Sequence, residues 1–98
     1  MEIDEKRREI DRIDERIAEL LASRTMIARS IAVVKTRAGL PIADAQREEE
    51  ILRRVSRACR GQADDGGLVR IYETILKESR RAQSAVREEI LASGKVRP

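Results

Sequence analysis

Arg24 stands in a slot where the sequence otherwise places isoleucine. Written in heptads, Ile3, Ile10, Ile17, Arg24 and Ile31 share one position, and Ile13, Leu20, Ile27 and Val34 fall three residues later, the pattern of a helix that packs by an apolar seam. Four residues after each slot of the first series come Arg7, Asp14, Leu21, Ala28 and Lys35, so Arg7 and Lys35 flank the same seam near its two ends. Cations held against an apolar surface call for an anion. Ser79 and Gln83, four residues apart, continue the row of Tyr72, Ile75, Leu76 and Val86, which turns a hydroxyl and an uncharged amide inward with the aliphatics. Asp44 and Glu48 share the side that carries Ile51 and Val55, and Arg47 lies on the adjacent flank. The inward polar set is therefore Arg7, Arg24, Lys35, Asp44, Arg47, Glu48, Ser79 and Gln83, a group suited to clamping a small anion and aiming neutral donors at it.

Each of these residues taken alone has a plain structural explanation. Arg7 and Arg24 could lay their stems over the seam and send their charges to water. Lys35 could be an ordinary cation at a helix C-terminus, and Asp44 an N-cap. Arg47 and Glu48 in a highly charged first turn would be surface residues. Ser79 could bond back to the carbonyl of Ile75, and Gln83 could join a buried interhelical network. Cys59 reads as a small buried hydrophobe, because the chain has no His to activate it.

The elements that would position this set are helices. The seam predicts a first helix over about 4–36, without an interior Gly or Pro and with Asp4 as a candidate cap. Gly39 suits a left-handed helix end and Pro41 discourages continuation, so a short loop is expected over 37–43. Asp44 should cap a second helix over about 44–60, with Glu48, Glu49 and Glu50 at the positive end of its dipole and Ile51, Leu52, Val55, Ala58 and Cys59 on its inner face. The stretch 61–67, rich in Gly and Asp, is the second break. A third helix over about 67–92 should bury Leu68, Ile71, Tyr72, Ile75, Leu76, Ala82, Val86 and Ile90, and residues 95–98 read as a loose tail. The expected fold class is all-α, one domain over 1–98 with one long and two shorter helices.

Composition agrees with that class and narrows the partners. Tyr72 is the single aromatic, so the core must be aliphatic. The 21 Lys and Arg are nearly matched by 18 Asp and Glu, most of them three or four residues from a base, which describes a self-neutralising solvated surface. No basic block with interleaved aromatics is present, so a nucleic-acid partner is not expected. One cysteine, no apolar run of about 18 residues and no charged-then-apolar leader read as a cytoplasmic chain with no membrane partner.

Helix length carries an argument about assembly. About 33 residues at 1.5 Å each make a helix roughly 50 Å long, whereas a compact chain of this size has a radius of gyration of about 13 Å. Two shorter helices of the same chain cannot cover all of that seam, and the uncovered part should be buried by a second copy, so an intertwined, two-fold homodimer with antiparallel long helices is expected. Arg24 and Lys35 lie about 16 Å apart along the axis and can converge on one small molecule, but Arg7 lies about 25 Å beyond Arg24. In an antiparallel pair crossing near residue 18, Arg7 of the partner subunit would reach the midpoint between Arg24 and Lys35.

Together and in this order, these segments resemble a known family, the AroQ-type, all-helical chorismate mutases. The likeness runs from Arg7-Arg8-Glu9-Ile10-Asp11-Arg12-Ile13-Asp14 through Leu21-Ala22-Ser23-Arg24, Val33-Val34-Lys35 and Asp44-Ala45-Gln46-Arg47-Glu48 to Glu78-Ser79-Arg80-Arg81-Ala82-Gln83. The resemblance implies a dimer of three-helix subunits converting chorismate to prephenate. It also implies that Arg24 and the partner's Arg7 bind substrate carboxylates, that Lys35 and Gln83 address the ether oxygen, that Glu48 and Asp44 address the ring hydroxyl, and that Arg47 and Ser79 assist in binding. Such a rearrangement is intramolecular and pericyclic, so it requires no nucleophile, metal or cofactor. What it does require is a folded substrate and donors aimed where negative charge grows as the C–O bond breaks. Isochorismate-pyruvate lyase and 4-amino-4-deoxychorismate mutase are neighbouring activities on the same scaffold. A non-enzymatic helical dimerisation module would explain the seam but not Arg24 within it.

Overall fold

A computed structural model describes residues 1–59 and 65–94 of the chain, with the side chains of Cys59 and Asp65 left aside. The described residues form three helices and no strand: α1 (Glu2–Ala38), α2 (Ala45–Cys59) and α3 (Asp65–Ser93). The expected burial of Cys59 and the expected tail at 95–98 lie outside the described residues.

Local chemistry accounts for the helix ends. α1 stops in a two-bond motif around Gly39, which has φ 69°. There the Leu40 N–H donates to the Lys35 carbonyl at 2.8 Å and the Gly39 N–H to the Thr36 carbonyl at 3.2 Å. Glycine takes that left-handed conformation without the Cβ clash another residue would meet, and the two bonds satisfy carbonyls the helix leaves unpaired. Because this motif closes on Gly39 itself, Arg37 and Ala38, expected in the loop, remain helical. At the other end the cap is Met1 without a side-chain bond, not Asp4. Asp4 lies within the first turn, where its carboxylate sits 3.9 Å from Arg7. Asp44 does cap α2, accepting a 3.0 Å bond from the backbone N–H of Arg47. α3 begins at Asp65, two residues before the expected Gly67, so Gly66 and Gly67 lie in its first turn despite their low helix propensity.

α3 is the central element, with α1 packed on one part of it and α2 on another. The face of α1 that meets α3 is not the isoleucine seam. It is a second stripe of smaller residues, in which Ala28, Ala32 and Thr36 are buried and Leu21 and Thr25 half-buried. These recur at intervals of four and three residues, and their size lets the two helices approach closely. Thr36 tucks its hydroxyl back onto the Ala32 carbonyl at 2.7 Å, which satisfies the donor in an apolar contact. From α3, Leu76 is buried while Tyr72, Ile75, Ala82, Val86 and Ile90 are half-buried. Leu68 and Ile71, expected inside, are exposed, as is Ala58 on α2.

The seam itself is uncovered within one chain. Ile3, Ile10, Ile17, Leu20, Ile27 and Ile31 are all exposed, with Ile13 at 58% and Val34 at 64%. Every residue from 1 to 20 is exposed, because α1 runs far past the ends of α2 and α3. The chain measures 60 × 27 × 14 Å with a radius of gyration of 17.3 Å, well above the roughly 13 Å of a compact chain of this length.

Candidate functional site

α1 and α2 both rest on α3 and meet it along different lines, which leaves a cleft between them with α3 as its floor. A cavity of 270 Å³ occupies that cleft. Its walls hold seven of the eight inward polar residues: Arg24 and Lys35 from α1, Asp44, Arg47 and Glu48 from the start of α2, and Ser79 and Gln83 from α3. Ile27, Ile31, Ile42, Ile51 and Leu76 fill in between them. The eighth residue, Arg7, is not there. Its side chain is 67% exposed near the far end of α1, with Asp4 as its neighbour. The distance follows from helix geometry, since 17 residues of rise place Arg7 about 25 Å from Arg24.

The α1 cations enter the cavity differently. Arg24 is half-buried and, among the described residues, has neither an ion pair nor a hydrogen-bond partner, so its guanidinium keeps all its donors for a ligand. Lys35 gives one of its three donors to the Ile42 carbonyl at 2.9 Å, which ties the ammonium to the loop between α1 and α2 and leaves two donors over. That loop is also held from α3. Arg87 donates through Nε to Thr36 Oγ1 at 3.1 Å and through a second nitrogen to the Leu40 carbonyl. Together these bonds set where α2 starts, and hence where Asp44, Arg47 and Glu48 stand.

On α2, the Asp44 carboxylate spends one oxygen on its cap and Arg47 pairs with Glu50 at 2.6 Å. Glu48 is half-buried and pairs with Arg80, a cavity-wall residue from α3 that does not belong to the inward row of that helix. The period of α3 places Arg80 one residue beyond Ser79 and gives no hint that its guanidinium reaches Glu48. With Arg80 included, the described wall carries four cations (Arg24, Lys35, Arg47 and Arg80) against two carboxylates (Asp44 and Glu48). The site is electropositive and apolar at once, which suits an organic anion.

The Ser79–Gln83 row of the floor is neutral. Gln83 is 8% exposed and its Nε2 donates to Ser79 Oγ at 3.2 Å. Ser79 therefore serves Gln83 instead of turning back to Ile75. The carbonyl oxygen of Gln83 is buried without a partner. An unsatisfied buried acceptor costs about 1–3 kcal/mol.

Comparison with known proteins bears on the family of the chain. The chain is similar to the chorismate mutase of Methanocaldococcus jannaschii, 31% identical over 86 residues that cover 87% of each chain. It is also similar to the bifunctional chorismate mutase/prephenate dehydratase of Aquifex aeolicus, 40% identical over 79 residues that cover 76% of this chain and 22% of that larger protein. No solved structure gives a significant match. The profile of the chorismate mutase type II family matches residues 6–84, a span that includes Arg7, all seven polar residues of the cavity and Arg80, and on that match this chain belongs to the chorismate mutase type II family.

Proposed function

We propose that the chain is a chorismate mutase that rearranges chorismate to prephenate in the cavity between its three helices. The observation that carries this reading is the convergence of Arg24, Lys35, Asp44, Arg47, Glu48, Ser79 and Gln83 on one small cavity of a chain from this family. Chorismate carries two carboxylates on a compact ring, and its rearrangement moves electrons within one molecule. The protein's work is to hold the folded conformer and to stabilise charge on the ether oxygen. Arg24 clamps a carboxylate, Lys35 and Gln83 donate to the ether oxygen, Asp44 and Glu48 accept from the ring hydroxyl, and Arg47 and Ser79 support binding.

Incubating the purified chain with chorismate and following loss of its absorbance tests the activity directly; a folded protein that leaves chorismate at the uncatalysed rate would sink the proposal.

The working form is an antiparallel, intertwined homodimer. The exposed aliphatic seam supports it, because an apolar stripe of that length facing water marks an interface. So does the cavity's missing eighth residue. Crossing the long helices near residue 18 brings the partner's Arg7 beside Arg24 and Lys35, where it clamps the second carboxylate. Mixing inactive Arg7→Ala chains with inactive Lys35→Ala chains is expected to restore about a quarter of wild-type sites, since each statistical heterodimer holds one site with both residues intact. Heterodimers verified by mass that stay inactive would exclude a shared site.

A further inference from the structure

Arg80 is the one α3 cation on the described cavity wall, and it reaches across the α2–α3 packing to pair with Glu48. The two side chains are 37% and 26% exposed, so water screens the pair incompletely. Its neighbour Arg81 points away, 69% exposed, with Glu78 of its own helix 3.8 Å off. Adjacent arginines thus have different surroundings, and only one of them adds charge to the cavity.

Resting on the chorismate mutase reading, we infer that Arg80 is a specificity-determining residue, which makes the site select a ring hydroxyl over a ring ammonium. One oxygen of Glu48 is engaged by the Arg80 guanidinium, and the other is left to accept a hydrogen bond. A hydroxyl donates one proton and brings no charge, so a carboxylate already balanced by Arg80 suits it. An ammonium at the same ring position brings a full positive charge. It would face Arg80 across a carboxylate whose countercharge is already engaged, and like charges at that range repel.

The experiment compares kcat/KM for chorismate and for 4-amino-4-deoxychorismate on wild type, Arg80→Met, Arg80→Lys and Arg81→Met. The preference for chorismate is expected to fall by about tenfold or more in Arg80→Met, the size of one charge–charge interaction at a partly screened site. Arg80→Lys, which keeps the charge, should regain much of the preference, and Arg81→Met should leave it unchanged. Both substrates are assayed on one preparation, so any unfolded fraction cancels from the ratio. Should Arg80→Met fail to fold, Arg80→Gln carries the same comparison. An active wild type whose ratio survives removal of Arg80 overturns the assignment of Arg80 alone. A wild type that converts neither compound overturns the mutase reading, and this inference with it.

Discussion

Arg24→Leu is expected to lose about a hundredfold or more in kcat/KM for chorismate while melting no lower than wild type. The first half follows from the cation's position on the cavity wall with no protein partner, since removing one member of a desolvated charge pair with a ligand carboxylate costs about 2–5 kcal/mol. The second half follows from the same isolation. In the free protein this half-buried guanidinium makes no ion pair among the described residues, and it interrupts a row of isoleucines. Leucine restores the apolar row and removes the cost of keeping a cation there. Thermal unfolding and steady-state kinetics on the same preparation check both halves. A markedly lower melting temperature would mean that Arg24 holds the fold through an ion pair, most simply with the second subunit.

Gln83→Glu should make the activity of the enzyme depend on pH. In wild type the amide donates at any ordinary pH, and turnover should vary little across neutrality. The variant keeps the shape of the side chain, but its carboxyl donates only while protonated. Ionised, it would place negative charge where the ether oxygen is gaining its own, and the loss of one such donor is worth about 3 kcal/mol, or roughly a hundredfold in rate. Two influences set where the new carboxyl titrates. Burial at the floor of the cavity pushes it up, whereas the cationic wall, with Lys35 and Arg24 among its members, pulls it down. In either case protonation increases as pH falls, so activity is expected to be low at neutral pH and to recover on acidification, with no such recovery in wild type. Profiles of kcat/KM from mildly acidic to mildly basic pH decide the matter. A variant that tracks the wild-type profile at any level of activity would show that Gln83 does not touch the breaking bond.

Much of this architecture is local, and local chemistry is legible in a sequence. The three helices, the left-handed end at Gly39 and the cap at Asp44 follow from propensity, capping and a period of 3.6 residues. The same period sorted Arg24, Lys35, Asp44, Glu48, Ser79 and Gln83 onto inward faces, and the cavity holds all of them. Cap chemistry misled only at Asp4, where the helix starts earlier, at Glu2 with Met1 as its cap, and leaves the carboxylate inside the first turn.

What the sequence by itself could not determine was which of two good helix faces would meet α3, and which distant side chains would pair. The isoleucine seam is the more apolar stripe, yet α3 lies on the Ala28, Ala32 and Thr36 stripe, because small residues allow close contact along a short line of packing. The larger aliphatics thereby stay free along the whole length of α1. Arg80 and Glu48 are 32 residues apart, and the Arg87 bond to Leu40 spans 47. No periodicity within one helix encodes either contact. They depend on the angle and height at which α2 and α1 settle on α3, which packing over the whole interface decides. The helices and the inward residues were therefore set by interactions a few residues long, whereas the Glu48–Arg80 pair and the shape of the cavity came only with the tertiary fold.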